Sequence, residues 1–137
     1  MKRDDCIFCK LANGDIPTAK VYEDADVTVI LDAGPATKGH ALVLPKDHSA
    51  KLAEVPEALA GKLAATAARI GEAQKKALGA LGYNIVVNTD EVAGQTVFHC
   101  HVHVIPRYDK DELALWVPGE AIDSENVAKT IAGALGK

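Results

Sequence analysis

Short alternating segments at both ends of the chain, one long helix-periodic stretch between them, and proline or glycine at nearly every boundary predict an α+β fold. The expected architecture is an antiparallel meander sheet with one long helix covering a face and a short C-terminal helix. Ala19–Tyr22 and Asp26–Leu31 read as a hairpin turned by Glu23-Asp24-Ala25. Turn formers fill 32–39, and His40–Leu44 follows as a third strand stopped by Pro45. From Pro56, suited to a first-turn position, to Leu78 the period changes: Leu59, Leu63, Ala67, Ile70, Gln74, Ala77 and Leu78 share one side of a helix. Its other side is rich in alanine, which permits close approach of a second element and makes a homodimer an expectation. Gly79 and Gly82 end the helix, Tyr83–Asn88 gives a fourth strand and Thr96–Ile105 a fifth, before Pro106. A last helix is expected from about Glu125 to Leu135, capped by Asp123 or Ser124.

The 137 residues are 48% hydrophobic and 25% charged, enough for one core, so residues 1–137 read as a single domain. Fifteen Lys and Arg against 19 Asp and Glu leave a net charge of -4, which disfavours a nucleic acid polymer as partner. No apolar run follows Met1-Lys2-Arg3-Asp4-Asp5, and nowhere do about 18 apolar residues follow one another, so neither a signal peptide nor a membrane span is expected. The protein reads as cytoplasmic, and three cysteines without an export signal point to metal or reactive thiols rather than a disulfide framework.

The chemistry concentrates in His99-Cys100-His101-Val102-His103. Alternation along a strand sets the three imidazoles on one side, roughly 6 to 7 Å apart, and turns Cys100, Val102 and Val104 into the core. Such a row can chelate zinc, form a plain polar face, or act on phosphorus. The preceding loop favours the last reading. Gly94 lets a ligand approach the backbone, and Gln95 and Thr96 bring amide and hydroxyl donors beside the row. A neutral imidazole is nucleophilic near pH 7 when its other nitrogen is held by an acceptor, and a second imidazole can steady the phosphoryl oxygens or protonate the leaving group. Cys6-x-x-Cys9 lacks the βαβ surroundings of a redox pair; with two further ligands, for which His48 and His99 are the candidates, it makes a zinc site.

His99-x-His101-x-His103-Val104-Ile105 resembles the motif of the histidine triad family of nucleotide hydrolases and transferases. Three further stretches resemble the family in the same order: Cys6-Ile7-Phe8-Cys9 through Ile16-Pro17, Gly39-His40-Ala41-Leu42-Val43-Leu44-Pro45-Lys46-x-His48, and Ala93–Phe98. The resemblance implies His101 as the nucleophile, His103 as a contact of the α-phosphate and His99 as an orienting or metal-binding member. It implies Thr96, Gly94 and Gln95 as a phosphate loop, Asp32 on the ribose hydroxyls and Asn88 near sugar and phosphate. Ile7, Phe8, Leu11 and Ile30 would line the purine pocket, and His40 would support the nucleophile. Family members with this cysteine start imply structural zinc on Cys6, Cys9, His48 and His99, with no metal needed for the chemistry.

The chain departs from the phosphoramidase branch after the triad, reading Pro106-Arg107-Tyr108-Asp109-Lys110-Asp111, and resembles the bacterial hydrolase subgroup. Arg107 is expected to be solvated, with contact to a polyphosphate as the other reading. The expected function is hydrolysis of a purine nucleoside phosphoramidate, or an acyl or lysyl nucleotidylate, to the monophosphate through a nucleotidyl-histidine. The alternatives are a dinucleoside polyphosphate hydrolase, a purine-nucleotide-binding regulatory module with incidental turnover, and a hydrolase whose three histidines hold a metal.

Overall fold

Alternation along the strands decides which side of the sheet faces which helix. The computed structural model describes residues 1–135. In chain order the elements are α1 (Ile7–Ala12), β1 (Lys20–Glu23), β2 (Val27–Leu31), β3 (Ala41–Pro45), α2 (Glu57–Leu78), β4 (Gly82–Val86), β5 (Val102–Arg107) and α3 (Ser124–Leu135). All pairings are antiparallel and the strand order is β1-β2-β3-β5-β4. The first three strands form the meander; β5 then returns inside, leaving β4 at the edge. Asp24 turns the first hairpin by accepting the backbone N–H groups of Asp26 and Val27 at 2.9 and 3.0 Å.

Val27 and Val29 of β2, Ala41 and Val43 of β3, and Val102 and Val104 of β5 share one face and pack with Leu63, Ala67 and Ile70 of α2 into the main core. Full burial of side chains of this size is worth about 1.5–3 kcal/mol each. Cys100 lies in this core, as the alternation predicts. The alternate residues Ile30, Leu42 and Leu44 face the other side and meet Ala12, Phe8 and Leu11 of α1. Gly71 lets α2 approach β4, since a Cβ there would lie 2.3 Å from the Tyr83 ring.

Three details differ from the sequence reading. Helix α1 has no periodic signature because it is six residues long; Cys6 caps it, its sulfur accepting the Cys9 N–H at 3.3 Å. The fifth strand begins at Val102, not Thr96, because 96–101 leaves the sheet to lie along the chain after β3, where the Cys100 N–H donates to the Ser49 carbonyl at 2.7 Å. The strand also continues through Pro106. The Pro106 carbonyl accepts the Thr37 hydroxyl at 2.6 Å on the side where β3 has already ended, so the missing N–H removes no ladder bond. Helix α3 starts where expected, and none of its residues is buried.

Candidate active site

The site lies on the α1 side of the sheet, where each imidazole's proton is fixed by one neighbour. His101, 8% exposed, sets Nδ1 at 2.7 Å from the His99 carbonyl. A carbonyl only accepts, so Nδ1 carries the hydrogen and Nε2 keeps its lone pair. The ring borders a cavity of about 350 Å³ walled by Phe8, Leu11, Ile30, Leu42, Asp32 and Thr96.

His40 accepts the Ala36 N–H at Nδ1 (3.0 Å), so its proton is on Nε2. That Nε2–H donates to Nδ1 of His103 at 2.9 Å, with Asp32 Oδ2 3.6 Å from the same nitrogen. His103 therefore carries its hydrogen on Nε2. Burial, together with the neighbouring His101 and His40, pushes His103 down to about 4, and burial lowers His40 against the opposing pull of Asp32. Both are neutral at pH 7. His40 thus supports His103 rather than His101.

His99 is fully buried and faces the opposite way. Its Nε2–H donates to the Pro45 carbonyl at 2.8 Å, and its Nδ1 lies 3.3 Å from Cys6 Sγ and 3.4 Å from Cys9 Sγ. His48 Nδ1 is 3.5 Å from Cys9 Sγ, and one ligand atom from each of the four residues falls within 4.8 Å of the others. Zinc–sulfur bonds of about 2.3 Å and zinc–nitrogen bonds of about 2.0 Å at tetrahedral angles separate such atoms by about 3.5 Å, so the donor set fits a closed zinc site. The three triad histidines do not share one metal position. Asp32, His40 and His103 also converge, but a proton on His40 Nε2 occupies the nitrogen a metal would need.

Not every expected residue reaches the cavity. Ile7, 52% exposed, borders a separate groove with Arg3, His48 and Phe98, because Phe8 and Leu11 are three apart on α1 and Ile7 is off their face. The Gln95 carboxamide is turned into its own loop, donating to the Ala50 and Val97 carbonyls and accepting the Asp90 N–H, so it is no free donor. Gly94 has φ +105°, which favours glycine, and a Cβ there would lie 3.3 Å from the Asn88 amide. Asn88 lies in a second cavity of about 530 Å³, with His40, Ile85, Leu115 and Trp116. His103 borders both cavities. Arg107 is partly exposed but neither free in solvent nor turned to the site: it grips Asp111 at 2.7 and 2.8 Å and Asn84 at 2.8 Å, and also donates to the Leu113 carbonyl. Leu42 and the carbonyls of Pro45 and His99 were missed by sequence reasoning. Leu42 carries an alternation signal from β3; a backbone carbonyl carries none.

The HIT domain family model matches residues 13–110. Protein hit of Bacillus subtilis is 41% identical, with 94% of this chain and 93% of that protein covered. Adenosine 5′-monophosphoramidase hnt1 of Schizosaccharomyces pombe is 37% identical over 89% of this chain and 90% of its own. Among solved structures, a HIT family member from Bacillus subtilis superposes with TM-score 0.87 at 40% identity, covering 98% of this chain and 99% of that one. A Zn-bound histidine triad family protein from Mycobacterium smegmatis gives TM-score 0.77 at 37% identity, covering 96% and 95%. With the family model matched over residues 13–110 and relatives 37–41% identical along most of the chain, the chain belongs to the HIT domain family.

Proposed function

We propose that this protein hydrolyses a purine nucleoside 5′-phosphoramidate, or a related acyl or lysyl nucleotidylate, to the nucleoside monophosphate through a covalent intermediate on His101. The observation that carries the reading is the Nδ1–H of His101 held by the His99 carbonyl, which leaves Nε2 as a lone pair at the cavity wall. Nε2 attacks the α-phosphorus, a P–N bond forms to the imidazole, and the bond to the leaving group breaks, an amine taking a proton from water and the carboxylate of an acyl nucleotidylate leaving without one. Water then cleaves the P–N bond to His101, releasing the monophosphate and restoring the free imidazole. His103, its hydrogen on Nε2, donates to a phosphoryl oxygen, and Thr96 offers a hydroxyl beside it. Phe8, Leu11, Ile30 and Leu42 take the base, and Asp32 the ribose hydroxyls.

The second cavity receives the leaving group. It offers Ile85, Val86, Val87, Leu115 and Trp116 and, among the described residues, no lysine or arginine, while Arg107 is committed to Asp111, so an organic amine fits better than a polyphosphate. The relative named a monophosphoramidase agrees with that preference. Cys6, Cys9, His48 and His99 hold structural zinc in this reading, with every ligand position filled by the protein. The chain pairs with a second copy, supported by β4 standing as the edge strand with Ile85 43% exposed and by α3 having no buried residue. Three free, buried thiols suit a reducing compartment, and we assign the protein to the cytoplasm.

The test is release of adenosine monophosphate from an adenosine 5′-phosphoramidate by wild type and His101→Ala. Turnover should fall by roughly 10³-fold or more in the variant while monophosphate affinity stays within a few-fold, and alkaline quench of wild type, in which a phosphorus–imidazole bond survives, should trap nucleotide on His101. Equal turnover in both proteins sinks covalent catalysis; binding without turnover in wild type returns the reading to a regulatory module.

A further inference from the structure

Helix α1 is too short to hold its shape in water unaided. Its C-terminal end is tied to the body by hydrogen bonds: the Thr28 hydroxyl to the Ala12 carbonyl at 2.6 Å, and the Asn13 amide to the Lys46 carbonyl at 3.1 Å. Its first turn meets the body through the thiols of Cys6 and Cys9 and the ring of Phe8 between them. That ring stands edge-on to His101 at 4.8 Å between centroids and to His99 at 6.1 Å, and it forms a wall of the nucleoside cavity. A second connection runs through His99, whose Nδ1 faces the two thiols while its carbonyl fixes the proton of His101.

We propose that the Cys6–Cys9–His48–His99 cluster and the nucleotide cavity form one coupled unit, in which a metal held by those four side chains and a nucleotide held over His101 strengthen each other's binding. Phe8 and His99 are the positioning residues that transmit the effect. The metal clamps the first turn of α1, which sets Phe8 against the nucleophile and completes the base wall; a bound base presses the same ring and keeps the thiols gathered. The coupling rests on the nucleotide reading above and extends it. Because coupling free energies are reciprocal, each ligand changes the other's affinity by the same factor.

The experiment challenges zinc-loaded protein with a chromogenic chelator, with and without saturating adenosine monophosphate. Zinc release should slow about tenfold, and zinc-stripped protein, shown to be folded by circular dichroism, should bind the monophosphate about tenfold more weakly in calorimetry. Phe8→Leu keeps every ligand side chain and should cut the protection to less than about threefold. Equal nucleotide affinity in the two forms, with zinc release indifferent to nucleotide, overturns the coupling and leaves the nucleotide reading standing. Nucleotide binding to neither form overturns both, and a chain that takes up no zinc overturns the coupling. Where the stripped chain does not fold, zinc release from the loaded protein decides: full protection retained in Phe8→Leu means that nucleotide merely steadies the whole fold, and the coupling fails.

Discussion

One hydrogen on each imidazole decides what that imidazole can do, and three acceptors or donors fix all of them. The His99 carbonyl fixes His101, the Ala36 N–H fixes His40 and through it His103, and the Pro45 carbonyl fixes His99. Their neutrality has a measurable effect on stability. Burial is the main cause that holds His99 and His103 each near 4, against about 6.5 in an unfolded chain. Above pH 6.5 neither state binds the extra protons. As pH falls from 6.5 towards 4 the unfolded chain takes up protons that the folded chain refuses, so stability is lost, by at most about 1.4 kcal/mol per group per pH unit. The urea midpoint of metal-stripped protein should therefore drop between pH 6.5 and 5, and His103→Asn should drop less steeply. Equal slopes would mean that His103 charges freely in the folded state. Spacing in the sequence brought out His101 and His103 as neighbours, because a period of two survives even where the strand itself starts late, and the family resemblance added Asp32. The resemblance misled at Ile7, and residue type misled at Gln95 and Arg107, because these side-chain directions depend on a short helix, on a loop folded back on itself and on an acid four residues on.

At the scale of elements, the segments with repeated patterns were legible and the irregular ones were not. Twenty-two residues of α2 repeat a single spacing, whereas α1 is defined by a sulfur cap and by contacts with residues more than thirty positions away. The offset of β5 comes from the carbonyls of Ser49 and Ala50, which draw 95–100 off the sheet and carry no side-chain signature. Beyond β5 the chain is held by Arg107, whose bonds to Asp111 and Leu113 set Leu115 and Trp116 at the second cavity. Arg107→Gln should leave β5 in place but free this segment. Limited proteolysis should then cut within 108–123 several times faster, and KM for bulky amine substrates should rise more than kcat falls. Unchanged proteolysis would show that the segment is held by something other than the arginine. Gly94→Ala places a side chain at φ +105° and against Asn88; a loss of about 1–3 kcal/mol in denaturant unfolding is expected.

For the whole molecule, the α+β class, the single meander and the helix that covers it follow from pattern alone, while the return of β5 between β3 and β4 does not, since either order satisfies the same alternation. The edge at β4 and the exposed row Val127, Ile131 and Leu135 on α3 are surface that a lone chain leaves in water. Sedimentation equilibrium should give twice the chain mass, and a concentration-independent single-chain mass would remove the dimer. The cavity beside His101 has a further property of the whole. Among the described residues no lysine or arginine borders it, burial keeps its His103 uncharged at pH 7, and Asp32 stands at its rim. In the proposed reading a phosphate there is met by oriented N–H and O–H dipoles beside a carboxylate, in a chain of net charge -4. In the proposed reading such a cavity favours the singly charged phosphoramidate over the doubly charged monophosphate, so that hydrolysis itself creates the repulsion that empties the site.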